Sequence, residues 1–337
     1  LLAGASVEDA HRRIAEQLAG AGRGTVLVGN LVEGHPQGGA LRALAALIAD
    51  LANARYGQLS AGPNGAGGHL AGALPNRDAG GRAAAQAGLN ARAMFEQPRK
   101  GYLLFNVEPA YDCWDGAAAE QALESAECVI ALTPFLSEAL KSRADVLLPV
   151  GAFGESAGTF VNCEGRWQSF NGVGHPVGEA RPAWRVLRVL GNVLDLDGFD
   201  YSAPDEVYAA ASGAIGPEKL PEAPDWKAPQ WSPANDGLHR AGDVPIYAVD
   251  AMVRRAPALQ ETVQARDAAV AMSGATAAGL GIGDGETVTV RQGERSATLP
   301  VVVDDGVPAQ SVWISAALPG SVSLGPAFGE ISVERTA

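Results

Sequence analysis

The feature that most constrains this chain is a change of sequence pattern near residue 150. Before that point, apolar runs at 25–29, 102–107, 128–132 and 145–150 alternate with helical segments at 7–18, 39–54, 117–126 and 137–142. Unbroken apolar runs are typical of strands buried on both faces of a parallel sheet, and such a sheet carries helices on both sides. The pattern therefore predicts an α/β fold with a parallel sheet flanked by helices. The stretch 57–81, rich in Gly, Pro and Asn, is predicted as loop.

After residue 150 the pattern changes twice. Residues 151–178 are predicted to be extended, helices follow at 181–196 and after Ser202, and 217–245 is proline-rich and predicted as a linker. From residue 246 onward, short strands between Gly and Asp turns predict a small β-barrel. We therefore divide the chain into an α/β dinucleotide-binding-like domain (1–170), a helical segment with a Pro-rich linker (171–243) and a β-barrel domain (244–337).

The charge balance excludes two classes of partner. The chain has 25 basic and 38 acidic residues, for a net charge of −13. Nucleic-acid phosphates and anionic lipids are recognised mainly by Lys and Arg, so we expect neither as a partner. Apolar runs fall short of the roughly 18 residues of a membrane span, and none is predicted. The chain begins Leu-Leu-Ala-Gly rather than with Met, and we expect it to continue a longer protein.

The few cysteines and histidines argue against a metal centre. Cys113, Cys128 and Cys163 form no CxxC pair, whereas an iron–sulfur cluster usually takes four closely spaced thiolates. The five histidines show no HExxH motif and no metal-ligand spacing. We therefore expect neither an iron–sulfur cluster nor a zinc site on this chain alone.

Two glycine-rich loops are candidates for binding an anion. Residues 34–39 (GHPQGG) follow a predicted strand and open a helix, which is where phosphates bind in doubly wound folds. Residues 62–68 form a similar loop. Neither matches GxGxxG or GxxxxGK[ST], so the sequence favours a tight turn and a simple loop over phosphate sites.

A serine-hydrolase hypothesis rests on one short motif. Residues 154–158 match G-x-S-x-G, the nucleophile elbow of α/β-hydrolases, with Ser156 as the nucleophile. The elbow requires a helix directly after the serine, but the β-branched and aromatic residues at 159–162 favour an extended segment. A serine hydrolase is therefore kept as the third hypothesis for function, behind the two that a family resemblance supports.

The most distinctive segment is 158–170, GTFVNCEGRWQSF, which places polar side chains between aromatic ones. In an extended segment Glu164 and Arg166 share one face, because side chains alternate with a period of two. We therefore expect Arg166 to be partly buried and paired with Glu164, and its removal to cost stability as the loss of a buried ion pair does.

This segment and its neighbours also carry a family resemblance. Residues 144–170 and 178–201, together with NVEPAYDCWD at 106–115 and 131–149, resemble the large iron–sulfur subunit of bacterial NADH-quinone oxidoreductase, or respiratory complex I. That large subunit is a member of the molybdopterin oxidoreductase superfamily. The pattern E-x-x-G-T-x-x-N-x-E-G-R-x-Q from Glu155 to Gln168 is shared across the superfamily, and 277–285 is similar to its closing double-psi β-barrel.

The resemblance implies a site and a biological role. In relatives that use molybdenum, the stretch matching 155–168 approaches the pterin, which points to Glu155, Gly158, Thr159, Asn162, Glu164, Arg166 and Gln168. The chain resembles only the C-terminal portion of the large subunit, so the iron–sulfur clusters would lie in the N-terminal portion. In the complex I member this domain is regarded as a relic without molybdopterin, and none is expected here.

The resemblance thus implies a scaffold without catalytic residues of its own, acting within an NADH:quinone oxidoreductase. Its partners would be the N-terminal part of its own subunit and other subunits of the peripheral arm. It would lie on the cytoplasmic side of the bacterial inner membrane. The alternative is a fragment of a molybdopterin oxidoreductase that retains its cofactor.

Overall fold

The computed structural model describes residues 6–215 and 237–336. The predicted Pro-rich linker therefore lies mostly outside the described residues. Across the described parts, the chain forms an α/β region, a β-hairpin with two helices, and a barrel.

Parallel strands form the α/β region, and this confirms the predicted fold class. The strands are β1 (Thr25–Val28), β2 (Arg55–Gln58), β3 (Gly101–Phe105), β4 (Cys128–Thr133) and β5 (Val146–Pro149). They make two sheets rather than one: β1 pairs with β2, and β4 lies between β3 and β5. The sequence of β2, RYGQ, lacks the apolar run that would have predicted this strand.

The sequence predicted strands that are buried on both faces, and the structure does not confirm this. Leu27 in β1 is 58% exposed and Leu103 in β3 is 49% exposed, although Val129 in β4 is buried. The described helices therefore cover the sheets incompletely, and apolar side chains remain at the surface.

Alanine-rich helices cover the other faces of the sheets. The helices of this region are α1 (Asp9–Gly20), α2 (Asn30–Gly34), α3 (Gly38–Leu51), α4 (Gly65–Leu70), α5 (Ala91–Glu96), α6 (Pro109–Asp112), α7 (Gly116–Glu124) and α8 (Glu138–Arg143). The helix α3 buries Ala40, Ala43 and Ala49, and small side chains let its backbone approach the sheet closely. The helix α4 lies within the predicted 57–81 loop, where its Gly-rich sequence GAGGHL gave no helical signal.

A hairpin and two helices follow the α/β region. The strands β6 (Gly158–Val161) and β7 (Trp167–Phe170) are antiparallel, so the predicted extended segment reverses direction. The helices α9 (Ala183–Val193) and α10 (Pro204–Gly213) come next, close to their predicted positions.

The C-terminal region is a closed barrel, as the sequence predicted for this part of the chain. Its strands are β8 (Leu238–Ala241), β9 (Val270–Met272), β10 (Thr287–Gln292), β11 (Arg295–Val303), β12 (Ser311–Trp313) and β13 (Gly329–Arg335), in the order β10-β11-β9-β12-β8-β13. Along β11, Ala297, Leu299 and Val301 point into the core while their neighbours are exposed, which is the period-2 pattern of a half-buried strand. The strand β8 precedes residue 244, where the barrel domain was predicted to begin.

Short helices accompany the barrel: α11 (Ala251–Arg254), α12 (Pro257–Gln260) and α13 (Gly274–Leu280). Among the described helices, none combines the length and apolarity needed to cross a bilayer.

Close packing at Gly191 fixes α9 against the segment that follows it. A Cβ built on Gly191 would clash with the Phe199 ring. We expect Gly191→Ala to lower the free energy of unfolding by about 1–3 kcal/mol through overpacking, although alanine is the better helix former. Gly279→Ala in α13 is the control, because no atom lies within 4 Å of its Cβ position. Urea unfolding of both variants measures the difference, and equal stability of the two would contradict this packing.

Candidate functional site

The hairpin holds most of the residues predicted to face a pterin. Asn162 caps its turn, because its Oδ1 accepts hydrogen bonds from the backbone N–H groups of Glu164 (3.0 Å) and Arg166 (2.9 Å). Gly165 has φ +78°, a left-handed conformation that glycine adopts without strain. Across the strands, the Thr159 and Ser169 hydroxyls lie 2.9 Å apart. These polar atoms are used within the hairpin itself.

Two further predicted residues support the base of the hairpin. Glu155 ends a short 3₁₀ turn, and its Oε2 accepts a hydrogen bond of 2.8 Å from the Ala152 N–H. A Cβ at Gly158 would lie 2.7 Å from the Phe170 ring, so this position admits only glycine without rearrangement. Phe170 in turn packs on Phe153 and Phe160, with ring centroids 5.0 and 5.3 Å away.

The predicted Glu164–Arg166 pair is not formed. The Arg166 side chain is exposed, and the ion pairs of the described residues include neither it nor Glu164. The prediction was wrong because the chain turns at 162–165, so the two residues do not lie on one extended strand. Gln168 is also exposed.

This exposure changes the expected effect of removing Arg166. We expect Arg166→Ala to change the free energy of unfolding by no more than about 0.5 kcal/mol, as is usual for surface positions. The exposed Arg99→Ala serves as the reference, and chemical denaturation compares them. A loss of several kcal/mol for Arg166→Ala alone would show that this guanidinium makes a buried contact.

A cavity of about 690 Å³ lies beside α9, and one of about 530 Å³ lies beside the hairpin. The second is bounded by α4, β6, β7 and α10, with Trp167 and Tyr208 meeting edge to face at 5.4 Å. Of the seven predicted residues, only Gly158 and Thr159 line it. The seven residues lie close together in sequence, but the fold does not turn them toward one cavity. A ligand role for them stays a prediction.

Ser156 does not lie in a nucleophile elbow. The strand β6 begins at Gly158, where the elbow would require a helix. The Ser156 hydroxyl donates to the Ala157 carbonyl at 3.3 Å. The local geometry therefore gives no support to the hydrolase hypothesis.

A cleft of about 370 Å³ separates the α/β region from the barrel. The helix α2, the α6–α7 connection and the barrel segments around β8 and 316–328 form its walls. Its charged side chains are Glu33, Asp112, Asp243 and Arg240. This is the place where both regions could hold a common ligand.

Arg240 is the one basic residue among the described side chains that line this cleft, and it is almost fully buried at 1% exposure. Its guanidinium donates to the carbonyls of Ile314 (3.2 Å), Ser315 (3.4 Å), Gly325 (2.9 Å) and Pro326 (3.2 Å), and to Gln292 Oε1 (3.2 Å). Burial lowers the pKa of Arg240 to about 10. Because carbonyls occupy its donors, Arg240 is built to hold the barrel loops together and offers little to a ligand.

The glycine-rich loop at 34–39 contacts the barrel at one end, although Gly34 and Gly39 stay exposed. The His35 ring packs edge to face on Phe328 at 5.1 Å, and a Cβ at Gly34 would lie 3.5 Å from the same ring. His35 Nδ1 accepts a hydrogen bond of 3.0 Å from the Gln37 N–H. Burial lowers the pKa of His35, which keeps its imidazole neutral near pH 7. An anion would meet an aromatic ring and a neutral imidazole here.

An ionic cluster that no sequence motif indicated joins the two regions beside this cleft. Glu108, 6% exposed, precedes α6 and binds both Arg254 (2.9 Å) and Arg255 (2.5 Å) near the end of α11. Arg254 also pairs with Asp112 at 2.9 Å. The partners lie about 145 residues apart in sequence, so no local pattern indicated the pairing. Once the fold shows that these charged side chains are buried, pairing is expected, because buried charges are almost always paired.

The cleft does not fit a pterin dinucleotide, which is the cofactor that the family resemblance suggests for this region. A dinucleotide carries a diphosphate, which needs cationic or N–H donors. The described lining has three carboxylates and one guanidinium, whose donors are occupied. Arg42 and Arg254 are nearby, but they already pair with Glu33 (3.5 Å) and Asp112 (2.9 Å). The electrostatics of this lining therefore disfavour a diphosphate.

Nor do the described residues present a metal-ligand group: no three His, Cys, Asp or Glu side chains in this part of the chain are close enough to share an ion. Cys113 lines the cleft, and burial together with the charges of Asp112 and Glu120 raises its pKa to about 11. Its thiol is therefore protonated near neutral pH and is a weaker nucleophile than an exposed thiol.

Comparison with known proteins places this geometry in a family. The model for "Molybdopterin oxidoreductase" matches residues 5–193, and that for "Molydopterin dinucleotide binding domain" matches residues 244–330. The NADH-quinone oxidoreductase subunit designated G of Streptomyces coelicolor is 30% identical over 254 residues, covering 67% of this chain and 28% of the relative. The same subunit of Mycobacterium bovis is 33% identical over 229 residues, covering 63% of this chain and 26% of the relative.

Among solved structures, the acetylene hydratase of Pelobacter acetylenicus is similar in fold. Its TM-score is 0.52 at 14% identity, and the match covers 74% of this chain and 47% of that one. The chain spans about a quarter of the length of the two NADH-quinone oxidoreductase relatives. The resemblance to this oxidoreductase subunit, drawn from the sequence, is confirmed. With a family model matching more than half of its residues, the chain belongs to the molybdopterin oxidoreductase family.

Proposed function

We propose that this chain is a structural part, without a cofactor of its own, of a protein like the large iron–sulfur subunit of NADH-quinone oxidoreductase. In that role it supports electron transfer from NADH to quinone without contributing a catalytic residue. The similarity to two subunits of this oxidoreductase, at 30% and 33% identity, supports the assignment to such a complex. The scaffold role goes further and depends on the chemistry of the cleft.

The main support for a chain without a cofactor is the lining of the cleft between the α/β region and the barrel. Family members that bind a pterin dinucleotide need donors for its diphosphate. Here barrel carbonyls occupy the donors of the Arg240 guanidinium, and the Phe328 ring packs beside Gly34 and His35 of the glycine-rich loop. Three carboxylates complete the described lining. A site with this charge balance is better suited to holding two regions together than to holding a dinucleotide.

The iron–sulfur clusters of such a complex would be carried by other parts of the protein. Cys128 and Cys163 are exposed and lie on different elements, and no three His, Cys, Asp or Glu side chains of the described residues are close enough to share a metal ion. The matched stretch makes up about a quarter of the NADH-quinone oxidoreductase relatives, so a subunit of that kind has ample length for a cluster-bearing portion. We propose that this portion is one of its partners.

Exposed apolar side chains support docking to further subunits. Leu27 on β1, and Leu103 and Phe105 on β3, are each close to half exposed or more. Strand faces of this kind are normally covered in α/β proteins. We propose that the remainder of the large subunit and neighbouring subunits of the peripheral arm cover them, on the cytoplasmic side of the bacterial inner membrane.

The test is a cofactor analysis of the chain produced in a host that makes molybdopterin. Molybdenum, tungsten and iron are determined by mass spectrometry, and oxidised pterin by fluorescence. A molybdopterin enzyme purified from the same host is the control. We expect the chain to carry all of these far below one per molecule. Stoichiometric metal with pterin would overturn the proposal and favour a fragment that retains its cofactor.

A second measurement addresses the complex itself. In a bacterium that carries this chain, affinity purification of the tagged protein should co-purify the NADH-oxidising complex, and deletion should remove assembled complex from the membrane fraction. Recovery of an intact and active complex from the deletion strain would contradict the scaffold role.

A further inference from the structure

The α9 groove is a concave surface that the proposed function leaves unexplained. It has a volume of about 690 Å³ and runs along α9 beside β5 and residues 201–202. Its apolar floor and rim include Leu148, Leu190, Val189 and Val193. Val189 is 51% exposed and Val193 is 73% exposed, so the described chain leaves this helix face uncovered.

Three arginines border the same groove: Arg181, Arg185 and Arg188. The ion pairs of the described residues include none of the three. No acidic side chain belongs to the described lining. In a chain with a net charge of −13, a groove with three guanidiniums and no carboxylate is a local reversal of charge.

The hydrogen bonds of these arginines leave capacity for an external acceptor. Arg181 Nη1 donates to the Ala180 carbonyl at 2.8 Å, and Arg185 lies over the Trp184 ring at 5.3 Å. Arg188 Nε is buried without a hydrogen-bond partner in the described structure. A buried N–H that lacks a partner costs about 1–3 kcal/mol. Because Arg188 lines the groove, a rotation of its side chain toward an acceptor bound there would relieve this cost, which is independent of the charge argument.

We propose that the α9 groove binds an acidic amphipathic helix of a partner polypeptide, with its apolar side chains on Val189 and Val193 and its carboxylates on Arg185 and Arg188. The helix α9 has 11 residues, a length of about 16 Å at ~1.5 Å per residue, which matches three turns of a bound helix. Helix-in-groove binding uses apolar anchors at helical spacing, and a bidentate carboxylate suits a guanidinium.

A concave groove favours this occupant over a lipid surface. A bilayer presents a flat surface, while Val189, Leu190 and Val193 lie within a hollow that also contains Arg188. The proposal deepens the scaffold function by naming the chemistry of one partner surface. Its test needs no assembled complex, so its failure would leave the assembly experiment unaffected.

The experiment measures binding of a labelled probe peptide to the 337-residue chain by fluorescence anisotropy. The probe is a helix of about 12 residues in which leucine pairs alternate with glutamate pairs, about 18 Å long. A matched peptide replaces every glutamate with glutamine. We expect the glutamate peptide to bind at least about tenfold more tightly than the glutamine peptide, and added salt to reduce the difference.

Variants assign the binding to the groove. Arg185→Gln with Arg188→Gln should weaken the glutamate peptide by about tenfold or more, and Val193→Asp, at an exposed position, should weaken both peptides. Arg99→Gln, exposed and outside the groove, is the control and should change nothing. Circular dichroism checks that each variant is folded.

Three results would overturn the proposal. One is equal affinity for the two peptides, which would leave only an apolar surface. The second is no binding of either peptide. The third is binding to vesicles of phosphatidylglycerol that the arginine variants abolish while the peptide does not bind, which would identify a lipid site.

Discussion

Glu108→Ala is expected to lower the free energy of unfolding by about 3–5 kcal/mol, because it takes the carboxylate partner from the half-buried Arg255 and one of the two carboxylates that pair with the largely buried Arg254. The Glu108 carboxylate makes two contacts to each arginine: Arg254 Nη2 at 2.9 Å and Nε at 3.3 Å, and Arg255 Nη2 at 2.5 Å and Nη1 at 2.9 Å. The side chains of Glu108 and Arg254 are 7% and 12% exposed. Since these contacts join α6 to α11, the loss should also loosen the barrel from the α/β region.

Glu138→Ala is the matched control for this experiment. Glu138 also lies in the α/β region, but its side chain is 92% exposed and Lys141 Nζ is 3.9 Å away. An exposed pair contributes about 0–1 kcal/mol. Urea unfolding of wild type and both variants, followed by circular dichroism, measures the difference. Equal midpoints for the two variants would mean that Glu108 is solvated.

The pH dependence gives a second readout of the same carboxylate. Burial alone would raise the pKa of Glu108, but hydrogen bonds and charges from Arg255 and Arg254 outweigh it and lower the pKa below its usual 4.5. The stabilisation is therefore fully present above about pH 4.5 and is lost as the pH falls through the lowered folded-state pKa. We expect the advantage of wild type over Glu108→Gln to shrink in that acidic range. A constant advantage down to the acid limit would contradict the lowered pKa.

Arg240→Ala is expected to cost about 3–5 kcal/mol, chiefly in the barrel. It would remove donors from four carbonyls and from Gln292, and each buried acceptor left without a partner costs about 1–3 kcal/mol. Water entering from the cleft would satisfy some of these groups, so the sum is smaller than five full penalties. The same loss should raise hydrogen exchange in β12 and in the 315–326 segment that Arg240 holds.

Arg291→Ala is the control for Arg240, because Arg291 lies on β10 with a side chain 55% exposed and 3.7 Å from Glu334. It should change the stability by less than about 1 kcal/mol. Hydrogen exchange by mass spectrometry locates the effect, and urea unfolding gives its size. Unchanged exchange around 315–326 in Arg240→Ala would show that the barrel loops do not depend on this guanidinium.

The contrast between Arg166 and Arg240 shows where sequence reasoning reached its limit. Both are arginines in segments with polar and apolar side chains, and only Arg166 lies in a recognisable motif. The motif was expected to bury Arg166, but a four-residue turn at 162–165 places it in solvent. Arg240 has no local signal, because its acceptors come from residues 292 to 326, brought together only when the barrel closes.

The glycine-rich loop at 34–39 also separates what the local sequence indicated from what the tertiary contacts decided. Its sequence favoured a turn over a phosphate site, because no Lys or GxGxxG pattern was present, and this stays a prediction. Its contact with the barrel was not visible in the sequence: Phe328, far away along the chain, packs on His35 and lies beside Gly34.

By itself, the sequence determined the α/β class, the positions of the longer helices and of four of the five parallel strands, the change to a β-barrel and the family. These depend on local periodicity and on runs of matching residues, which are written within one segment. The tertiary structure alone decided that the strands form two sheets, that Glu108 locks the barrel to the α/β region, and that the arginines of α9 face a groove without a carboxylate. Those properties arise from contacts between distant segments, whose partners no local pattern specifies.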